Sequence, residues 1–119
     1  MHARKTGALL AASAVCGAVM AGASPEAVRA IRQYADELGV VFQIVDDILD
    51  IQGTTATLGK TAGKDQANDK PTYPALFGLE ASQTLARDGT ARAIEALAAR
   101  RLDTRWLRDL AQWVLTRQA

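Results

Sequence analysis

The stretch Val41–Gly53, VFQIVDDILDIQG, sets Asp46, Asp47 and Asp50 into an otherwise apolar run. Carboxylates are poor helix-interior residues and resist burial, so their spacing decides how the run folds. On a helix, at about 100° per residue with Asp46 at zero, Asp50 falls near 40° and Asp47 near 100°. Gln43 falls near 60° and Gly39 near 20°. Leu38, Val40, Val41, Ile44, Val45, Ile48, Leu49 and Ile51 then share an arc from roughly 120° to 300°. The run is predicted to be a helix with a wide apolar face and a narrow acidic strip. Gln43 lies on that strip as a neutral hydrogen-bonding group, and Gly39 leaves space beside it.

Upstream, Ser24-Pro25-Glu26 is a helix-start signal with Pro at the first helical position. The predicted helix therefore runs from there to about Ile51, long for a globular protein. Three further helical regions are expected: Arg4–Ala21, about Thr72–Arg101 with a break near Gly78, and one following Leu102-Asp103-Thr104. Leu76, Leu79, Ala86, Ile94 and Leu97 form the apolar stripe expected of the third. Trp106, Leu107, Leu110, Trp113 and Val114 form that of the fourth, with its two tryptophans expected in the core. No strand-like alternation is found. The hydrophobic share of 49% against 5% aromatic residues also favours helices, and the fold class is all-α.

A net charge of +1 and the absence of a basic stripe argue against a nucleic-acid partner. Cys16 is the single cysteine, which excludes an internal disulfide framework and suits a reducing compartment. The N-terminal segment MHARKTGALLAASAVCGAVMAGAS has the outline of a secretory signal: a basic start, an apolar stretch and small residues at its end. Its apolar stretch is mostly Ala and Gly, though, and leads directly into the next helix start. An Ala-rich packed helix with Lys5 and Thr6 at its beginning is the favoured reading. No apolar run is long enough for a membrane span.

Acids on a helix usually form a solvated face, but such faces mix signs, because like charges one turn apart destabilise a helix. Every charge from Glu37 to Asp50 is negative. Oxygen ligands of one sign, without His or Cys nearby, suit a hard cation such as Mg²⁺ bound together with phosphate groups. The segment QGTTATLGKTAGKDQANDKP supplies complementary charge in Lys60, Lys64 and Lys70, among glycines that let backbone approach an anion. A connection this long is either functional or a solvated surface loop. Its GTTATLGKT portion exceeds P-loop spacing by one residue and follows a helix instead of a strand, so a nucleotide-binding reading is rejected.

Taken in order, Lys5-Thr6-Gly7, Phe42-Gln43, Asp46-Asp47-Ile48-Leu49-Asp50, Thr57-Leu58-Gly59-Lys60, Gly63, Asp65 and Lys70 resemble the C-terminal part of a trans-polyprenyl diphosphate synthase. Thr72-Tyr73-Pro74-Ala75-Leu76, Gly78-Leu79-Glu80 and Leu102-Asp103-Thr104 continue the likeness, which is greatest to bacterial farnesyl diphosphate synthases and covers the whole chain. The resemblance implies the isoprenoid synthase fold, here as an incomplete helical bundle. It implies a Mg²⁺-dependent transferase of the cytoplasm that condenses an allylic diphosphate with isopentenyl diphosphate. Asp46, Asp47 and Asp50 match the second of that family's two aspartate-rich, metal-holding motifs, with Asp46 the foremost ligand. Lys5, Thr6, Gln43, Lys60 and Lys70 match positions at the allylic diphosphate. Lys5, Lys60 and Asp46 are the expected catalytic residues, and His2 is incidental.

The family's first aspartate motif and its isopentenyl diphosphate site have no counterpart in residues 1–119, and Thr54 stands where relatives often have Asp. The expectation is one synthase domain lacking its N-terminal part and inactive alone. The full-length protein is expected to be a homodimer, or the missing part is supplied in trans. A subunit of a split synthase and a helical diphosphate-binding module are the alternatives. Product chain length is not legible in this part of the family.

Overall fold

The computed structural model describes residues 2–56 and 71–119. Five helices follow in order: α1 (His2–Met20), α2 (Pro25–Ala56), α3 (Tyr73–Phe77), α4 (Leu79–Ala98) and α5 (Arg105–Thr116). The described residues contain no strand, as composition and periodicity predict.

The turn between α1 and α2 is written in its capping residues. Gly22, at φ 77°, ends α1, with Ala23 N–H donating to Ala18 O and Gly22 N–H to Val19 O, each at 3.0 Å. These are the paired bonds of a Schellman turn, for which glycine carries no Cβ penalty. Ser24 Oγ then accepts from Ala27 N–H at 3.2 Å and Pro25 opens α2. So short a connection folds α1 back antiparallel along α2. Where the two helices cross, a Cβ on Gly39 would lie 3.0 Å from Gly7 Cα, and backbone approaches backbone. The Ala-rich segment is thus a helix packed against α2, and no described helix is long and apolar enough to cross a membrane.

α2 is the axis of the fold. Its 32 residues span about 48 Å at 1.5 Å per residue, against a longest molecular extent of 49 Å. Tyr34, Leu38, Val41, Ile44, Val45 and Ile48 project from its apolar arc into the core, joined by Ala86, Ala93 and Leu97 of α4 and Ala111 and Val114 of α5. The α2–α4 seam is close because α4 presents small residues. A Cβ on Gly89 would lie 2.8 Å from Val41 Cγ2, and Ser82, Thr90 and Ala93 are buried beside it. The two buried hydroxyls are satisfied inside their own helix: Ser82 Oγ donates to Gly78 O at 2.7 Å and Thr90 Oγ1 to Ala86 O at 2.9 Å.

The expected break at Gly78 is real. Gly78 adopts φ 87°, closes α3 with its N–H on Pro74 O, and starts α4 on a new axis. Two apolar assignments need correction. Leu76, on α3, and Leu79, at the start of α4, are exposed, whereas the expected Ala86 and Leu97 are buried in a stripe otherwise made of the small residues Ser82, Gly89, Thr90 and Ala93. Trp106 and Trp113 are exposed as well, at 82% and 59%, and Leu110 at 45%. The rotation of α5 is set by Tyr34, whose hydroxyl donates to Leu107 O at 2.6 Å, and by the Thr104 cap on Leu107 N–H. That rotation points Ala111 and Val114 at α2 and leaves the indoles outside.

Candidate functional site

The acidic strip of α2 reaches the surface as three differently held carboxylates. Asp47 is committed to protein groups on both oxygens. Gln43 Nε2 donates to its Oδ1 at 2.8 Å, and the backbone N–H of Tyr73 donates to its Oδ2 at 3.1 Å. The first bond is local, one turn back along α2. The second ties α3 to α2 at the point where the chain returns after residue 70. Asp47 thereby positions Tyr73, whose ring lies 6.1 Å from that of Phe77.

Asp46 faces a cation from the far end of the sequence. Arg117 Nη2 lies 3.9 Å from Asp46 Oδ1, with the Arg117 side chain 7% exposed and that of Asp46 59% exposed. The guanidinium is fixed from two sides: its Cζ sits 4.2 Å from the Phe42 ring centroid, and Nη2 donates to Phe42 O at 3.2 Å. Arg117 Nε is buried without a hydrogen-bond partner among the described residues. Asp50 is exposed one turn further along the strip.

Lys5 and Thr6 precede Gly7, which crosses α2 at Gly39. Because α1 runs antiparallel to α2, moving back from Gly7 to Thr6 and Lys5 leads towards Gln43 and Asp46. Lys5 is exposed and Thr6 half-buried. Lys60, Lys64 and Lys70, with Gly59 and Gly63, lie outside the described residues. Glu37 belongs to a separate arrangement. Arg92 of α4 donates to it from Nε and Nη2 at 3.2 and 3.3 Å, and that bonding raises the Arg92 pKa above its ordinary value. The negative charges read along α2 are therefore offset by two arginines from outside that helix, Arg92 at Glu37 and Arg117 at Asp46.

Sequence reasoning missed Arg117 and the Tyr73 backbone as partners of the motif. An isolated arginine near the C-terminus follows no spacing rule, and a main-chain donor leaves no trace in residue type.

Among the described residues, no group of three or more His, Cys, Asp or Glu side chains converges as a protein-only metal cage. Mg²⁺ does not require one, since it is commonly held by one or two carboxylates with the remaining oxygens from phosphate and water. Asp46 and Asp50, one turn apart on an exposed strip, fit such an open site. Asp47, with both oxygens engaged, fits a supporting role.

Against known proteins, a family model described as polyprenyl synthetase matches residues 1–104. The chain belongs to the polyprenyl synthetase family. It is 44% identical to the farnesyl diphosphate synthase of Escherichia coli (strain K12), over 98% of this chain and 40% of that protein. To geranylgeranyl pyrophosphate synthase 11, chloroplastic, of Arabidopsis thaliana it is 50% identical, over 82% of this chain and 27% of the relative. To the chloroplastic geranylfarnesyl diphosphate synthase of Leucosceptrum canum it is 48% identical, again over 82% and 27%. The chain thus spans two-fifths or less of the length of these relatives. Their names carry three different prenyl lengths at similar identity. The all-α expectation and the family resemblance both hold.

Proposed function

We propose that this chain forms the diphosphate-holding side of a prenyl-elongating site, in a protein that condenses an allylic diphosphate with isopentenyl diphosphate. The observation that carries the reading is the acidic strip itself: Asp46 and Asp50 exposed on α2, with Asp47 locked between Gln43 and Tyr73. Mg²⁺, when bound there, would neutralise diphosphate oxygens and stabilise the negative charge that grows as the allylic C–O bond breaks.

The chain's own residues divide the remaining work. Asp46 is the foremost carboxylate for the metal, with Asp50 acting partly through water. Asp47 keeps Gln43 and the start of α3 in register with the strip. Lys5, Lys60 and Lys70 act on the diphosphate as point charges, and Thr6 and Gln43 as hydrogen-bonding groups. These charges oppose the leaving group more strongly as it ionises, so they favour the transition state over the bound substrate. The allylic carbon is attacked by the alkene of isopentenyl diphosphate, and loss of a proton completes the five-carbon addition. No side-chain nucleophile is needed.

The test joins residues 1–119 to the N-terminal part of the Escherichia coli farnesyl diphosphate synthase and measures diphosphate release from both substrates. Asp46→Ala is expected to lower turnover by about 10²–10³. An active chimera indifferent to that substitution would sink the assignment.

A further inference from the structure

Arg117 lies immediately beyond the end of α5, outside any helix. Yet its side chain is 7% exposed, stacked on Phe42 and bonded to the Phe42 carbonyl. A guanidinium is an unfavourable group to bury, and this one keeps a buried Nε with no partner among the described residues. The charge it faces is Asp46, at 3.9 Å, too long for a hydrogen bond and short enough for an ion pair. Asp46 retains its solvent side, being 59% exposed.

We propose that Arg117 is a built-in counter-cation for Asp46, which neutralises the carboxylate while no ligand is present and weakens its hold on a divalent metal ion arriving alone. The inference rests on the reading of Asp46 as a metal ligand. Arg117 is buried while Asp46 stays more than half exposed, so the carboxylate remains accessible to an ion from solvent. A divalent ion bound there meets a fixed positive charge behind its ligand. A diphosphate meets the same charge as an attraction. The arrangement therefore selects against bare metal and in favour of metal carried in with an anion. Phe42 has a defined part in this: its ring and carbonyl hold the guanidinium where it faces Asp46 and prevent it from turning into solvent.

The experiment measures Mn²⁺ alone, by electron paramagnetic resonance titration of the 119-residue chain. Arg117→Gln is expected to bind Mn²⁺ about three- to tenfold more tightly, the scale of one unit charge at this separation in a partly exposed site. Arg117→Lys, which keeps the charge but loses the planar stack on Phe42, is expected to fall between the parent chain and Arg117→Gln. Arg117→Met preserves packing on Phe42 and replaces the Gln variant if that one fails to fold, as judged by circular dichroism. Unchanged or weaker Mn²⁺ binding in a folded neutral variant overturns the proposal. Asp46→Asn separates the two levels. If it leaves Mn²⁺ affinity unaltered, the metal reading of Asp46 falls and the proposal with it. If it weakens Mn²⁺ binding while the neutral Arg117 variant shows no gain, only the counter-cation role falls.

Discussion

The face of α2 that meets α4 and the face that carries Asp46, Asp47 and Asp50 belong to one helix but are held in different ways. On the α4 side, Val41 and Ile44 are 0% and 1% exposed, and the contact is so close that one Cβ on Gly89 would overlap Val41. Many weak dispersion contacts fix that face, and each is replaceable by another apolar group of the right volume. On the acidic side, three groups do the positioning: Gln43 and the Tyr73 N–H on Asp47, and Arg117 on Asp46. Each of these contacts has a specific partner and direction. The first face tolerates changes in identity within a fixed volume, whereas the second depends on identity.

The contrast is open to direct attack by mutation, with unfolding of the 119-residue chain in urea as the first measurement. Leu97→Ala, at a side chain with 0% exposure, is expected to cost about 3 kcal/mol. A loss below about 1 kcal/mol would show that the seam relaxes and that the α4 side is not close-packed. Gly89→Ala adds the Cβ that would sit 2.8 Å from Val41 Cγ2. Crowding is expected to outweigh the helix-propensity gain and to leave a net loss of about 1–2 kcal/mol. Gly89→Ala combined with Val41→Ala should recover part of it.

Tyr34 stands between the two regimes, a core side chain with one directional bond. Tyr34→Phe removes the 2.6 Å bond to Leu107 O and is expected to cost about 1 kcal/mol at neutral pH. Burial pushes the Tyr34 pKa up to about 12, against about 10 in an unfolded chain. Folding thus favours the neutral phenol. Its contribution is complete below about pH 10 and is lost progressively as pH rises towards about 12. The parent chain should therefore lose stability relative to Tyr34→Phe across that interval, and parallel pH profiles would refute the linkage.

On the acidic face, Asp47→Ala strands the Tyr73 N–H and is expected to cost about 1 kcal/mol, with Asp47→Asn milder because an acceptor survives. Amide exchange at Tyr73 should report the change more sensitively than global unfolding, and an unprotected Tyr73 in the parent chain would contradict the bond. The smallest effect belongs to the exposed pair Arg32–Asp36, at 3.8 Å with both side chains more than half exposed. Arg32→Ala should leave the unfolding midpoint where it is.

How much of this was legible in the sequence follows from the same contrast. The helix spacing of α2, its Ser24-Pro25 start, the break at Gly78 and the apolar face from Leu38 to Ile48 all obey local periodicity, and each could be read from neighbours in the chain. The acidic strip was legible too, since four residues separate Asp46 from Asp50 and one turn brings them together. The rotation of α5 was not legible. Val114 faces inwards as expected, but the apolar positions do not say whether the tryptophans or Ala111 join it, and that choice is made by Tyr34, 73 residues from Leu107. In α4 the expected Ala86 and Leu97 are buried, but the expected Leu79 is not. The buried line is made of Ser82, Ala86, Gly89 and Ala93, because a partner helix this close leaves no room for anything larger.

The bond from Arg117 to Phe42 spans 75 residues. The turn into α1 and the seam with α4 can form without it. The surroundings of Asp46 cannot, because the arginine that faces it is distant in the chain. Closing so long a loop also carries an entropic cost that no local contact repays in advance. The acidic strip is consequently shaped by contacts nearby in the chain, while its charge balance depends on a residue 71 positions from Asp46.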